Sequence, residues 1–305
     1  MERFELLILG CGSAKPSARH FPSVQILNIH DKAYLIDCGE GSQIQMARFH
    51  VGYRHLDSIF ISHMHGDHVL GLPGLMSTFC LLGRTADLNI IGPEGLGDFV
   101  DFINKTFCKE KTYKVNFFPV LDDCVSKPVF EDKTTEVYAI PLRHRIQCYG
   151  YLFREKANKP HIIREMTDFY GIPYYAYNSI KDGKPWTTED GEIVPAERLT
   201  RPAEPPRAYA YISDTAPSHV VAENVVNVDL LYHEATFGKD NIKRAEETYH
   251  TTAAQAAEIA TSCHVHRLII GHFSSRYKDE TPLLEEAQAI FPNTVLAEEG
   301  KTYTI

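Results

Sequence analysis

The chain of 305 residues contains no C-x-x-C pair, and its seven cysteines, at positions 11, 38, 80, 108, 124, 148 and 263, are odd in number and scattered. That scatter excludes a thiolate zinc knuckle and a dithiol redox motif, and leaves reduced, mostly buried thiols as the expectation. No window approaches the length of a membrane span, and Met1-Glu2-Arg3-Phe4-Glu5 opens straight into strand-like sequence instead of a signal peptide. A soluble, cytoplasmic protein without a membrane partner is expected. Positive charge is also short: the net charge of −9 argues against a broad basic face of the kind that binds nucleic acid indiscriminately. A selective binder stays compatible with it, because the charge at a site is set locally and not by the net charge of the chain. The grouped cations Lys105, Lys109, Lys111 and Lys114, and Arg143, Arg145 and Arg154, read equally well as solvated faces or as phosphate tracks.

What the chain does have is a long alternation of strand-like and helix-like segments, which indicates α/β layers. Strand signals run over 4–9, 23–29, 33–36, 57–62, 88–91, 113–120, 136–142 and 149–153, with His30-Asp31-Lys32 as a short hairpin turn. Helix signals fall over 41–49, 69–82, 94–107, 252–263 and 282–290. One domain over 1–305 is expected, interrupted at 155–207 by a stretch rich in Lys, Pro, Gly and Tyr. That stretch reads as an inserted arm with weak structure of its own, in which Trp186, the single tryptophan, serves as a packing anchor or a binding residue.

The densest chemistry lies in Ile61-Ser62-His63-Met64-His65-Gly66-Asp67-His68, where three imidazoles and a carboxylate occupy six positions directly after an apolar run. Residues two apart do not share a helix face, so His63 and His65 converge on one ion only from extended or looped backbone. The turn at Gly66 then lets Asp67 and His68 address a second location. Imidazole mixed with carboxylate suits zinc, with manganese or iron as alternatives. Three further residues, His144, Asp214 and His272, each sit where a strand signal runs into a loop, and together they complete two coordination shells. One partition gives the first ion His63, His65 and His144, and the second Asp67, His68 and His272, with Asp214 bridging. His264 and His266 repeat the H-x-H spacing without an acidic companion and stay outside the set, and His233 is read as structural.

The chain resembles the ribonuclease Z family, the tRNA 3′-end-processing endonucleases of the metallo-β-lactamase superfamily. The likeness runs from Leu9-Gly10-Cys11-Gly12-Ser13 with Pro16 and Arg19, through Ile36-Asp37-Cys38-Gly39-Glu40-Gly41-Ser42-Gln43, to the histidine loop extended by Gly71-Leu72-Pro73-Gly74-Leu75. It continues through His144 with Gly150-Tyr151, Asp214-Thr215, His233-Glu234-Ala235-Thr236-Phe237, His250-Thr251-Thr252, and His272 with Ser274-Ser275-Arg276-Tyr277. The H-x-H-x-D-H loop alone marks only the superfamily; the later segments are far more specific. The resemblance implies an αββα sandwich with an inserted arm, two zinc ions per subunit with manganese as a substitute, a homodimer, and precursor tRNA as partner. The chain departs from the family at Gly171-Ile172-Pro173, where arms of this type carry Gly-Pro, and at His20, where the family has Asn.

The expected chemistry is hydrolysis of a phosphodiester by a hydroxide shared between two metal ions, freeing the 3′ trailer with a 5′-phosphate and leaving a 3′-hydroxyl on the tRNA. Asp67 is expected to orient the attacking water and take its proton. His250 precedes the capping-box pattern Thr252-x-x-Gln255, so it lies ahead of a helix N-terminus, where it would stabilise the phosphate or protonate the leaving 3′ oxygen. Glu234 is the expected carboxylate partner of His250, and Asp37 that of the metal-binding loop. Arg276 and Lys15 are candidate phosphate contacts. Two other readings share parts of this pattern: a phosphodiesterase for small or cyclic nucleotides on the same two-ion centre, and a non-catalytic, metal-stabilised RNA-binding protein.

Overall fold

The computed structural model describes residues 3–305, so Met1 and Glu2 of the strand-like opening lie outside the described residues and the first strand begins at Phe4. The chain divides into two compact units, one built from 1–154 and 208–305 and the other from Glu155–Arg207.

The larger unit holds two seven-stranded sheets. The first orders its strands Thr302–Thr304, Phe4–Gly10, Val24–Ile29, Lys32–Ile36, Leu56–Phe60, Leu88–Gly92, Val115–Pro119. The second orders them Thr294–Leu296, Arg267–Gly271, Leu230–Glu234, Ala208–Ile212, Tyr149–Glu155, Thr135–Pro141, Phe130–Glu131. Alternation along each strand explains the layering. Leu6, Ile8, Leu27, Tyr34, Ile36 and Phe60 of the first sheet meet Val137, Tyr151, Phe153 and Tyr209 of the second in one core, with Phe60 and Phe153 rings 5.0 Å apart. The neighbouring side chains Ile26, Leu35, Ile59 and Ile90 point outward, under Leu75, Met76, Val100 and Ile103 of the helices Leu72–Leu81 and Leu96–Phe107. On the far face, helix Ala253–Ser262 buries Ala253, Ala256, Ala257 and Ala260, a helical i, i+3, i+4, i+7 stripe. The result is the αββα sandwich that the resemblance implied.

The hairpin at His30 forms as expected, with Ile29 paired to Lys32 and both His30 and Asp31 at positive φ (50° and 65°), the conformation a two-residue loop needs to match strand twist. The helix expected over 69–82 is broken in two, Gly66–Val69 and Leu72–Leu81. At the break the Gly71 amide donates to the Cys38 carbonyl at 2.8 Å, and a Cβ on Gly71 would lie 2.2 Å from the Gly39 carbonyl oxygen. Two short helices went unread, His219–Asn224 and Ile242–Thr248; both are too short and polar to show an apolar period.

Residues 155–207 carry more structure than the composition suggested. Two short antiparallel ladders and three short helices enclose a small core of Ile172, Ala176, Ile180, Val194, Ala196 and Leu199. Trp186 packs against that core from a strand paired with Ile193–Val194. At the base of the unit the Arg207 guanidinium grips Glu155 with two bonds, 2.7 and 3.0 Å. Sequence reading missed this core because its apolar residues are spread over segments of two to six residues, below any detectable period.

Candidate metal centre

Strands of both sheets end at a common edge, and each places one piece of the constellation there. Leu56–Phe60 runs into Ser62 and His63, Thr135–Pro141 into His144, Ala208–Ile212 into Asp214, and Arg267–Gly271 into His272. The histidine loop is pinned below by the Cys38 amide, which donates to the His68 carbonyl at 2.8 Å. A Cβ on Gly39 would meet the Asp67 carbonyl at 2.3 Å, so the close approach of the two segments requires glycine there.

Two sets of four donor atoms result, and each set lies within 4.8 Å of mutual separation or is linked through Asp214. In the first, His63 Nε2 is 2.9 Å from His65 Nδ1 and 3.8 Å from Asp214 Oδ2, and His144 Nε2 is 3.3 Å from His65 Nδ1 and 4.0 Å from Asp214 Oδ2. In the second, Asp214 Oδ1 is 3.5 Å from His68 Nε2 and 3.2 Å from His272 Nε2, while Asp67 Oδ2 is 3.5 and 3.6 Å from the same two nitrogens. A tetrahedral zinc with ligand bonds of about 2.0–2.1 Å sets its donors about 3.3 Å apart, so both sets have the span of a coordination shell. The structure brings His63, His65 and His144 together in one set and Asp67, His68 and His272 in the other, with one Asp214 oxygen facing each.

Three observations fit a cation here. First, His68 Nε2, His272 Nε2 and Asp214 Oδ1 are fully buried and have no hydrogen-bond partner among the described residues, a costly arrangement unless something binds them. Second, four ring nitrogens turned away from the centre are engaged: His63 Nδ1 by Ser62 Oγ (2.9 Å), His68 Nδ1 by Asp37 (2.6 Å), His144 Nδ1 by the Tyr249 carbonyl (3.3 Å) and His272 Nδ1 by Thr236 Oγ1 (3.0 Å). Those partners leave each Nε2 free as a lone-pair donor. Third, the electrostatics call for positive charge. Burial lowers the pKa of His63, His65 and His144, keeping them neutral ligands. Burial would lower His68 too, but Asp37, Asp67 and Asp214 push it well up, so the surrounding carboxylates draw a proton where a metal ion would serve. Burial opposes ionisation of Asp67, yet His68 and His272 hold its carboxyl far below the usual range.

A second donor cluster, Cys11, His20 and Glu299, shows the contrast. There Glu299 accepts the Phe21 amide and Gln45 Nε2 at 2.7 and 3.0 Å, and Glu280 accepts Arg19 at 2.6 Å and faces His20 Nε2 at 3.2 Å. The carboxylates are already answered, and no orphan atom remains in that cluster.

Beside the metal-type donors, Glu234 is wholly buried and accepts the amides of Thr215, Thr236 and Thr251, the Thr236 hydroxyl and His250 Nδ1 (2.8 Å). Burial opposes its charge, but His250 and these donors hold its pKa at about 2. Burial likewise works against the His250 cation, and Glu234 overrides it to give about 9. The capping box Thr252–Gln255 forms as expected. A cavity of about 440 Å³ opens onto His65, Asp67, His144, His250 and His272 and is walled by Arg145, Arg244 and Arg276. Lys15 lies apart from these, in a smaller depression of about 80 Å³ with Arg19 and Ser275. Sequence reading missed Thr236, Ser62 and Arg244. Ser62 was signalled only by adjacency to His63, Thr236 only by its place in the His233–Phe237 segment, and Arg244 lies in a helix too polar to detect. His233 is buried and bonds the Glu234 carbonyl through Nδ1 at 2.7 Å, away from the donor sets.

A two-sheet sandwich that gathers imidazoles and carboxylates from the ends of strands in both halves defines the metallo-β-lactamase class of metal-dependent hydrolases. Solved structures of that class superpose over the whole chain: human tRNase Z, short form, with TM-score 0.71 at 25% identity over 99% of both chains, and the metallo-β-lactamase fold protein YhfI from Bacillus subtilis, with TM-score 0.71 at 18% identity over the whole of both. The family described as Anti-Pycsar protein Apyc1 matches residues 4–99. Ribonuclease Z of Bacteroides fragilis (strain YCH46) is 53% identical over 98% of each chain. That of Bacteroides thetaiotaomicron is 52% identical over all of this chain and 96% of its own, and that of Parabacteroides distasonis 50% over the whole of both. The chain belongs to the ribonuclease Z family.

Proposed function

We propose that the protein is a zinc-dependent endoribonuclease that cuts the 3′ trailer from precursor tRNA, leaving a 3′-hydroxyl on the tRNA and a 5′-phosphate on the trailer. The observation that carries this reading is the pair of four-donor sets sharing Asp214, in a chain whose relatives, matched along their full length, are named ribonuclease Z.

His63, His65, His144 and Asp214 would hold one ion, and Asp67, His68, His272 and Asp214 the other. Zinc held there would supply Lewis acidity to the phosphate and favour ionisation of the attacking water near neutral pH. Asp67, fixed by the Ala14 amide on Oδ2 at 2.7 Å, orients that water and takes its proton. His250, kept protonated by Glu234, protonates the departing 3′ oxygen. Glu234 also steadies His272 through the Thr236 hydroxyl. Arg276, whose guanidinium stacks on Phe237 at 5.7 Å, binds the scissile or a neighbouring phosphate. Lys15 serves a phosphate further along the strand. The arm contributes RNA contacts, and the active assembly is a homodimer. No helix among the described residues is long and apolar enough to cross a membrane.

Incubating the zinc-loaded protein with a trailer-bearing tRNA precursor, and mapping both product ends, tests the reading. A single cut with a 5′-phosphate on the trailer supports it; a ladder, or no product, overturns it.

A further inference from the structure

Behind the donor sets, the two sheets share a layer of buried hydroxyls, of which Tyr211, Ser213 and Ser23 have no part in the chemistry above. Its centre is Asp37, wholly buried and at φ +56°, a left-handed conformation that side-chain-bearing residues seldom adopt. Asp37 Oδ1 accepts the Ser62 amide at 2.8 Å. Asp37 Oδ2 accepts three donors: His68 Nδ1 at 2.6 Å, Ser62 Oγ at 3.0 Å and the Tyr211 hydroxyl at 2.5 Å. Tyr211 belongs to the opposite sheet and is 1% exposed. Its oxygen also meets Ser23 Oγ at 2.9 Å. From the same strand end, Ser213 Oγ donates to Ser62 Oγ at 3.1 Å, and Ser62 Oγ faces His63 Nδ1 at 2.9 Å.

One assignment of protons satisfies the whole layer. Ser23 donates to Tyr211 and Tyr211 to Asp37; Ser213 donates to Ser62 and Ser62 to Asp37. The ring N–H groups of His68 and His63 then point at Asp37 and Ser62. Each imidazole is thereby fixed with Nε2 bare, one in each four-donor set. Packing alone does not require this. Tyr209 occupies the same strand two residues earlier, is equally buried, and bonds Gln25 instead, remote from the ligands.

We propose that Tyr211 is a positioning residue for the metal centre: its hydroxyl, delivered from the second sheet, locks the Asp37 carboxylate and through it the His68 ring, while Ser213 and Ser62 lock His63 in the same layer. The inference rests on the reading that these donors hold metal ions. It extends the metal centre's support across the sandwich, so that ion retention depends on contact between the two sheets.

The test compares Tyr211→Phe, Tyr209→Phe and the parent protein, each loaded with zinc. A colorimetric chelator reads the rate of ion release, and thermal midpoints are taken with and without zinc. Outer partners of metal-ligating histidines change ion affinity by about 10–100-fold. Tyr211→Phe is therefore expected to release an ion at least about tenfold faster and to show a smaller zinc-induced rise in midpoint, while Tyr209→Phe matches the parent in both. Equal release from Tyr211→Phe and the parent overturns the proposal, as does equal acceleration in both variants, which would mark a packing effect. If Tyr211→Phe does not fold, Ser62→Ala carries the same expectation and the same refutation. A parent protein that binds no zinc would instead sink the metal-centre reading itself, so the two failures are distinguishable.

Discussion

Glu234 and His250 form a buried ion pair, 2.8 Å from Oε1 to Nδ1, in which the carboxylate accepts five donors and the imidazole carries the pair to the cavity. The pair converts a histidine that burial would keep neutral into an acid with a pKa of about 9. It sits 16 residues apart in sequence and joins a strand end to the approach of a helix N-terminus.

If His250 is the proton donor, turnover should persist above the ordinary imidazole range and fall at alkaline pH as it deprotonates, because Glu234 raises it. Glu234→Gln removes the charge that raises it, so the alkaline fall should move toward the ordinary value of 6.5. A pH profile of kcat checks this; an unmoved alkaline limb in Glu234→Gln would refute the role. His250→Ala should lower turnover by about 10²–10⁴-fold with zinc content unchanged. Loss of zinc in that variant would make His250 a ligand instead.

The same pair sets the pH range of stability in chelator-treated protein. Glu234 is depressed from 4.5 to about 2, so its contribution is complete above the unfolded value and is lost as pH falls toward 2. His250 is raised from 6.5 to about 9, so its contribution is complete below 6.5 and is lost as pH rises through 9. The stabilisation is therefore fullest between about pH 5 and 6.5. Urea unfolding across pH should show that the parent's advantage over Glu234→Gln narrows on both sides of this window.

Asp214 gives one oxygen to each donor set, so Asp214→Ala should impair both sites, whereas His144→Ala should impair only the first. Elemental analysis after equal zinc loading distinguishes the two. Equal losses in both variants would contradict the partition.

Gly71→Ala would drive a methyl group into the Gly39 carbonyl, where backbone on both sides leaves nothing to move aside. Overpacking of this kind costs about 1–3 kcal/mol. The thermal midpoint should fall, and zinc should be held more weakly because Gly39 and Cys38 carry the floor of the histidine loop.

Arg154 pairs with Ala208 in the register of the second sheet, so the chain leaves and re-enters the body from adjacent points. Removing residues 158–205 should therefore leave the sandwich folded. Cleavage of a tRNA precursor is expected to be lost while hydrolysis of a small model diester is kept. Loss of both activities, with a folded circular dichroism spectrum, would show that the arm does more than bind RNA.

Much of this protein is written locally. The strand and helix alternation, the His30-Asp31 turn, the capping box at Thr252 and the packed run from His63 to His68 are short-range patterns, and each reappears in the structure within a few residues of its reading. The break at Gly71 was not legible, because its cause is a carbonyl more than thirty positions away. The arm's core was hidden for a related reason: six small apolar groups from separate short segments carry no period of their own.

The sequence by itself determined which donors exist, because imidazoles and carboxylates at strand ends have few other uses in such density. Tertiary structure alone decided how they are aimed. The Nε2 atoms of His63 and His68 are bare only because Ser62, Asp37 and Tyr211 meet across two sheets, and His250 is an acid only because Glu234 is buried beside it. Tautomer and charge are set by the nearest partner in space, and a linear chain does not say which partner that will be.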